Sequence, residues 1–253
     1  MTMSTASCAD YRLAGEPASY YFKTRMVAEL ANASVNGDLD HLEALAAEGV
    51  DVNAKGFEGI NPLLWTMLAG NKASFAKLLE LGADPFQQAK NEISVADDST
   101  AANDLDFLKI LLEHGVDPNG LANPRRGETL LMKAVLHGRW PQVELLLQHC
   151  ADINWATEFG SSAATVAVSS SEMEMLVRFL EEGYSYDFDR LARRVDIRRI
   201  AEGHPQFQWE RKAIEILKER GVVFPANDGK PAPPAAPRAE PVHAKSCLER
   251  RKP

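Results

Sequence analysis

The sequence is 253 residues long, with 45% hydrophobic and 25% charged residues, an ordinary balance for a globular protein. Its formal net charge of −8 argues against a nucleic-acid partner, because such proteins carry a basic surface. No apolar stretch reaches the roughly 18 residues that a membrane span needs, so we expect no transmembrane segment.

The first residues allow two interpretations. Residues 1–10 have neither a basic n-region nor an apolar h-region, so they hold no complete signal peptide, and the chain as written is expected in the cytoplasm. Residues 5–8 nevertheless resemble the end of a bacterial lipoprotein signal, and lipidation of Cys8 would place the protein facing the periplasm. We predict a flexible segment over residues 1–21, which residues 20–22 could pin against the first helices.

The cysteines give little information. Cys8, Cys150 and Cys247 are far apart and odd in number. No CxxC spacing indicates a zinc site, and a disulfide framework is not expected.

A short motif recurs along the chain. Its starting positions, called marks below, are Gly49, Gly82, Gly115, Cys150, Gly183 and Gly221. Successive marks are 33, 33, 35, 33 and 38 residues apart, and an aspartate stands two places after each of the first four. A regular period of this length is the signature of a repeat architecture.

The residues before each mark predict a pair of helices. Apolar residues lie three to five and seven places upstream, a spacing that puts them on one helical face. A break between the two helices is predicted twelve places upstream, at Gly37, Gly70, Asn103, Gly138, Ser171 and Trp209. Asn61, Ser94 and Thr129 are residue types that cap a helix N-terminus, so each is predicted to open the first helix of its unit.

This pattern resembles the ankyrin repeat, whose units run roughly from G-x-T-P-L-H-x-A to L-L-x-x-G-A-D-x-N. The resemblance covers residues 22–225 and implies an all-α ankyrin-repeat solenoid of about six helix-turn-helix units with finger loops. The units are expected near residues 22–53, 54–86, 87–119, 120–154, 155–188 and 189–225. The last unit resembles a modified C-terminal cap with an insertion around residues 201–207. Residues 226–253 are rich in proline and alanine and are predicted to be disordered.

The resemblance implies a protein partner that contacts the finger loops and the exposed side of the first helices, both on one concave face. Aromatic and arginine side chains in such places are typical interface hot spots. The residues predicted to bind the partner are Phe57, Trp65, Leu68, Lys90, Arg125, Arg126, Lys133, Leu136, His137, Trp155 and Phe159. Two alternatives stay open: Phe57 and Phe159 could fold back onto the stack, and Trp65 and Leu68 could pack against a neighbouring helix.

Charge is unevenly distributed along the chain. Residues 22–119 hold sixteen acidic and seven basic residues, whereas residues 189–220 hold nine basic and six acidic ones. The basic stretch begins with five arginines: Arg190, Arg193, Arg194, Arg198 and Arg199. With Leu191, Val195 and Ile200 as its buried stripe, this helix is either a solvated cap or a surface that grips acidic groups.

No catalytic or metal-binding motif is found in the sequence. The serines of residues 160–164 align with the start of a repeat helix, which favours a capping role. Asp38, Asp40, Asp104 and Asp106 are at the start of second helices, where carboxylates favour the helix dipole. The adjacent Asp97 and Asp98 form either an acidic patch or a solvated face. Because the six histidines are scattered, we expect no enzyme, no cofactor and no metal site.

The chain also resembles the bacterial ankyrin proteins that act as immunity proteins against secreted antibacterial effectors, including phospholipases. The resemblance is carried by the short solitary stack, the opening Tyr21-Phe22-Lys23, Asp38 after Gly37, and the lipoprotein-like cysteine. It implies an inhibitor that binds and neutralises a secreted effector and is monomeric when free. The alternative is a cytoplasmic ankyrin scaffold or regulator with no toxin partner. A third hypothesis, an enzyme with its site in the sixth unit, has only the irregularity of that unit in its favour.

Overall fold

The computed structural model describes residues 11–226 and residue 236. These residues form thirteen α-helices, one 3₁₀ turn and a two-stranded sheet. The chain divides into two compact units, residues 1–116 and 117–253. The predicted all-α class, built from helix-turn-helix repeats, is confirmed.

Three helix pairs follow a short helix in the first compact unit. Its elements are α1 (Ala18–Tyr21), α2 (Arg25–Asn36), α3 (Leu39–Ala47), the 3₁₀ turn (Phe57–Gly59), α4 (Pro62–Ala69), α5 (Lys72–Glu80), α6 (Val95–Ala101) and α7 (Asp106–Glu113). The predicted breaks at Gly37, Gly70 and Asn103 fall between the members of the three pairs. First helices pack on first helices, α2 on α4 and α4 on α6, and second helices pack likewise, α3 on α5 and α5 on α7. The unit therefore has two layers of helices.

The second compact unit begins with a hairpin and continues with three further pairs. Its elements are β1 (Leu121–Asn123), β2 (Glu128–Thr129), α8 (Leu130–Leu136), α9 (Trp140–Gln148), α10 (Ala163–Ser169), α11 (Met173–Glu181), α12 (Phe188–Ile197) and α13 (Phe207–Glu219). The breaks at Gly138 and Ser171 are confirmed, but the one at Trp209 is wrong. Trp209 lies inside α13, because the last second helix is longer and its loop, residues 198–206, comes earlier.

Polar side chains open the first helices as their sequence positions predict. The Asn61 side-chain oxygen accepts the Leu64 N–H at 2.8 Å, the Ser94 hydroxyl accepts the Asp97 N–H at 3.2 Å, and Thr129 opens α8 in the same way. These bonds satisfy N–H groups that have no partner within the helix. The three predicted caps are therefore confirmed.

The motif joins neighbouring repeats at the three marks whose fifth residue is asparagine, namely Gly49, Gly115 and Cys150. Within the motif, the aspartate carboxylate accepts a backbone N–H two residues later, as between Asp51 and Asn53 at 2.8 Å. The asparagine side chain then reaches the next repeat: Asn53 accepts the Asp84 N–H and Asn119 accepts the Asp152 N–H, both at 2.7 Å. Each bridge is therefore a hydrogen bond between residues about one repeat apart in sequence.

The apolar position seven residues before each mark forms the centre of the helix packing. Five of these six side chains are fully buried: Leu42, Phe75, Leu108, Val143 and Leu176. Ile214, in α13, is half-buried. The terminal second helix thus has a less enclosed apolar face, as a capping unit should.

Cys150 takes the place that glycine holds at the other marks. Its φ of 69° is in the left-handed region, close to the 80° of Gly115. Its side chain is buried and disulfide-bonded, which corrects the expectation drawn from the wide cysteine spacing. Cys8 and Cys247 lie outside the described residues.

The N-terminal segment contacts the first repeat more closely than the sequence suggests. Tyr21 and Phe22 are buried and Ala18 is enclosed with them, which agrees with the possibility that residues 20–22 pin this segment against the first helices. The Tyr21 hydroxyl donates to the Leu13 carbonyl oxygen at 3.0 Å, which holds the preceding residues against α1. Residues 1–10 lie outside the described part of the chain.

The predicted disorder of residues 226–253 falls mostly outside the described residues. Ala226 donates its N–H to the Asp196 carboxylate, and Ala236 accepts a hydrogen bond from the Tyr186 hydroxyl at 2.8 Å. These two contacts are with residues of the second compact unit.

Gly59 provides a test of how closely the finger loops approach one another. Its φ is 78°, and an added Cβ would lie 2.8 Å from backbone atoms of Ala89 and Lys90. We predict that Gly59→Ala lowers the free energy of unfolding by about 2–4 kcal/mol. Gly82→Ala is the matched control, because Gly82 has a φ of 89° but no atom within 4 Å, so only the backbone cost of about 1 kcal/mol applies. Urea unfolding would measure both variants, and equal losses would contradict the close approach.

Candidate protein-binding surface

An exposed aromatic pair lies at the first finger loop. The 3₁₀ turn between α3 and α4 leaves Phe57 50% exposed. Tyr20, in α1, is 52% exposed, and its ring meets that of Phe57 edge to face with 5.6 Å between centroids. Paired aromatic rings offer a large apolar area to a partner at little cost in side-chain entropy. The repeat pattern does not identify Tyr20 as a surface residue, because Tyr20 lies in the segment predicted to be flexible.

Trp65 does not belong to this surface, and the prediction that it is exposed is wrong. Its side chain is fully buried. Its ring centroid lies 5.0 Å from that of Tyr11, 5.3 Å from Tyr21 and 5.9 Å from Phe22. The N-terminal residues thus cover the side of α4 that the repeat pattern alone leaves open. Trp65 is therefore part of the core.

Leu68 and Lys90 are exposed, as predicted. Leu68 is 47% exposed on α4, so the expected two-residue apolar patch is reduced to one residue. Lys90, in the second finger loop, donates its backbone N–H to the Glu58 carbonyl oxygen at 2.9 Å. Its ammonium also lies 3.1 Å from a Glu58 carboxylate oxygen. The second finger is therefore fastened to the first, which limits the freedom of both loops.

The third finger loop is the β1–β2 hairpin. Arg125 and Arg126 lie in its turn, and both side chains are exposed. The Arg126 N–H donates to the Asn123 carbonyl oxygen at 3.2 Å, which closes the turn. Exposed guanidinium groups at a loop tip are suited to bidentate bonds with a partner's carboxylates.

The fourth finger loop has one structural and one exposed aromatic residue. Trp155 is half-buried, and its indole N–H donates to the Gly127 carbonyl oxygen at 3.0 Å, which ties this finger to the third. Phe159 is 72% exposed, so the alternative that it folds back onto the stack is wrong. We expect Phe159, more than Trp155, to be available for a partner.

The predicted residues of α8 differ in accessibility. Leu136 is 51% exposed and His137 is also exposed, at the C-terminal end of the helix. Lys133 is only 17% exposed in its side chain and lies 3.8 Å from the Glu128 carboxylate. Leu136 and His137 are therefore the accessible part of this helix.

The adjacent acidic residues of α6 are not a solvated face. Asp97 is buried and Asp98 is half-buried. Burial, together with the neighbouring Asp97 charge, raises the pKa of Asp98 from 3.8 to about 6. Ionisation of Asp98 therefore lowers the stability of the folded state.

No group of three or more His, Cys, Asp or Glu side chains in residues 11–226 is placed to hold a metal ion. Ser162 caps α10 through a reciprocal pair of bonds with Thr165, and its hydroxyl lies 3.0 Å from that of Tyr184. The predicted capping role of this serine is therefore confirmed.

A comparison with protein families identifies the repeats. A family model described as ankyrin repeats, in three copies, matches residues 98–189. The chain contains ankyrin repeats. The matched ankyrin repeats run from α6 into α12, and the helix pairs before them share the same motif and packing.

Two curated proteins are similar to parts of the chain. Protein PhlB of Serratia liquefaciens is 31% identical over 138 residues, which is 54% of this chain and 60% of PhlB. The human BCL-6 corepressor-like protein 1 is 30% identical over 115 residues, which is 46% of this chain and 6% of that protein. The matched stretch thus spans less than two thirds of either relative.

Among the helices of the described residues, none is both long and apolar enough to cross a bilayer.

Replacement of Asp98 tests the burial of its carboxyl group. Because the folded state binds this proton more tightly than the unfolded chain does, the associated stability is complete below pH 3.8 and is lost as the pH rises through about 6. We predict that Asp98→Asn raises the free energy of unfolding by about 1–2 kcal/mol at neutral pH, after allowance for partial exposure, and has little effect near pH 4.

Asp104→Asn is the control, because it should change stability in the opposite direction. The Asp106 N–H and the Lys72 ammonium lower the pKa of Asp104, so its loss should decrease stability at neutral pH. Thermal unfolding at both pH values would measure the two variants. If Asp98→Asn stabilised the protein equally at both pH values, the raised pKa of the Asp98 carboxyl group would be contradicted.

Proposed function

We propose that this chain is an inhibitor or immunity protein that binds and neutralises a secreted bacterial effector, such as a phospholipase. Ankyrin repeats are protein–protein interaction modules, and they are typically not enzymes. The similarity to a Serratia protein over 54% of the chain supports a bacterial setting. The specific role as an inhibitor is the proposal.

The observation that carries the proposal is the exposure of large apolar side chains at the finger loops. Tyr20, Phe57 and Phe159 are each half exposed or more, although burial in the chain's own core would be favourable for them. Aromatic groups that are exposed on anchored loops act as binding anchors because they lose little entropy when a partner covers them.

The charge of the first repeats supports an electrostatic contribution to binding. Residues 22–119 have an excess of acidic over basic side chains, sixteen against seven. The negative electrostatic field of these residues would accelerate the encounter with a basic effector surface, and the effect would weaken as salt is added. The anchored fingers would then cover the effector's functional surface.

Affinity capture from the culture medium of the source organism, followed by an activity assay, tests this function. The baits are the wild-type chain, the double variant Tyr20→Ser/Phe57→Ser, and Val223→Ser. Val223 is 80% exposed but lies after α13, away from the finger loops in sequence, so it is a matched apolar-to-polar control. Circular dichroism confirms that each bait is folded.

We expect the wild type and Val223→Ser to capture one secreted enzyme and to inhibit it when mixed in equal amounts. The double variant should bind and inhibit about ten-fold or more weakly, because it removes two anchors. Recovery of only housekeeping cytoplasmic proteins, equally with all three baits, would favour the scaffold or regulator alternative and would contradict the inhibitor.

A further inference from the structure

An arginine-lined groove lies on the last repeats of the second compact unit, and one of its arginines, Arg190, donates to the carbonyl oxygen of Phe159 in the fourth finger loop at 3.5 Å. Helix α12 packs against α10, and the gap between them is a groove of about 370 Å³. The side chains that line this arginine groove are Val168, Ser169, Arg190, Arg193, Arg194, Ile197 and Arg198. The basic helix that the sequence predicts is therefore α12, and its arginines face a cavity.

Two of these arginines have no carboxylate partner among residues 11–226 and 236. Arg194 reaches only the Ser169 hydroxyl, at 3.5 Å, and Arg198 reaches only the Ser171 hydroxyl, at 3.1 and 3.2 Å. Arg190, in contrast, is paired with Asp187 at 3.1 Å. The serine hydroxyls orient the two guanidinium groups without neutralising them, so their charge is available to an anionic ligand.

The groove also offers apolar surface. Ile197 is 71% exposed on α12, and the buried Val168 forms part of the opposite wall on α10. An exposed isoleucine between arginines suits a ligand that has both anionic and apolar groups.

The arrangement of the arginines indicates the form of the ligand. Arg190, Arg194 and Arg198 follow one another at intervals of four residues, which places neighbours about 6 Å apart along one side of α12 and its C-terminal cap residue, Arg198. A single phosphate would need arginines that converge on one point. A row matches carboxylates at alternate positions of an extended peptide, which repeat about every 6.7 Å.

We infer that the arginine groove binds a segment of the protein partner in which acidic side chains alternate with others, including apolar ones. The partner's carboxylates pair with Arg194 and Arg198, and its apolar side chains cover Ile197. This inference rests on the proposed function, since it adds a second contact to the same protein partner.

Binding of a short synthetic peptide to the full chain tests this inference without the partner. The probe is a fluorescently labelled peptide with glutamate at every second position and leucine or alanine between, and its control has glutamine in place of glutamate. The variants are Arg194→Gln/Arg198→Gln and, as a control with the same change in charge on the same compact unit, Arg211→Gln/Lys218→Gln. Arg211 and Lys218 are exposed on α13.

We expect fluorescence anisotropy to show binding of the glutamate peptide that weakens as salt is added. The Arg194/Arg198 variant should bind it about ten-fold more weakly, whereas the control variant stays within about two-fold of the wild type. The glutamine peptide should not bind. Equal loss in both variants, binding of the glutamine peptide, or tighter binding of a single-stranded DNA of matched charge would overturn the inference.

The outcome is separable from that of the capture experiment. If the peptide does not bind but a secreted enzyme is captured and inhibited, the groove is rejected and the inhibitor stands. If the peptide binds with the expected pattern but no effector is captured, the inhibitor is rejected and the groove stands as an acidic-peptide site.

Discussion

The asparagine bridge between neighbouring repeats is the interaction on which the rest of the structure depends. Asn53, Asn119 and Asn154 each accept the backbone N–H of a residue at the start of the next finger, with distances of 2.7 Å. A backbone N–H left without a partner costs about 1–3 kcal/mol, so the bridge both joins two repeats and fixes where the next finger begins. The apolar helix faces provide the stability, and the bridges set the register in which they pack.

The anchored fingers explain how a regular stack can have a specific surface. Within the first compact unit, Lys90 bonds to the backbone of the preceding finger, and within the second, Trp155 does so through Gly127. Loops held in this way lose little entropy on binding, which favours affinity at their exposed side chains. Phe57 and Phe159 are such side chains, and the arginine groove adds a charged contact of a different kind.

Local patterns in the sequence predicted the repeats because each depends on residues close together. The caps at Asn61 and Ser94 and the buried leucines follow from helix geometry alone. Trp65 could not be placed in this way, because residues far from it in the repeat pattern, Tyr11 and Tyr21, cover it. The predicted break in the sixth helix pair was wrong for a related reason, because the lengths of its helices depart from the repeat period of the earlier pairs. The partner-contact roles of the finger residues stay predictions.

Native-state hydrogen exchange of the free chain, followed by NMR, tests the bridge most directly. We expect the Asp84, Asp152 and Ser185 amides to exchange as slowly as the neighbouring helix amides, and Asn53→Ala to remove protection from Asp84 alone. Asn32→Ala, an exposed change on α2, should leave all three protected. Rapid exchange of Asp84 in the wild type, or unchanged protection in Asn53→Ala, would contradict the bridge as the link between repeats.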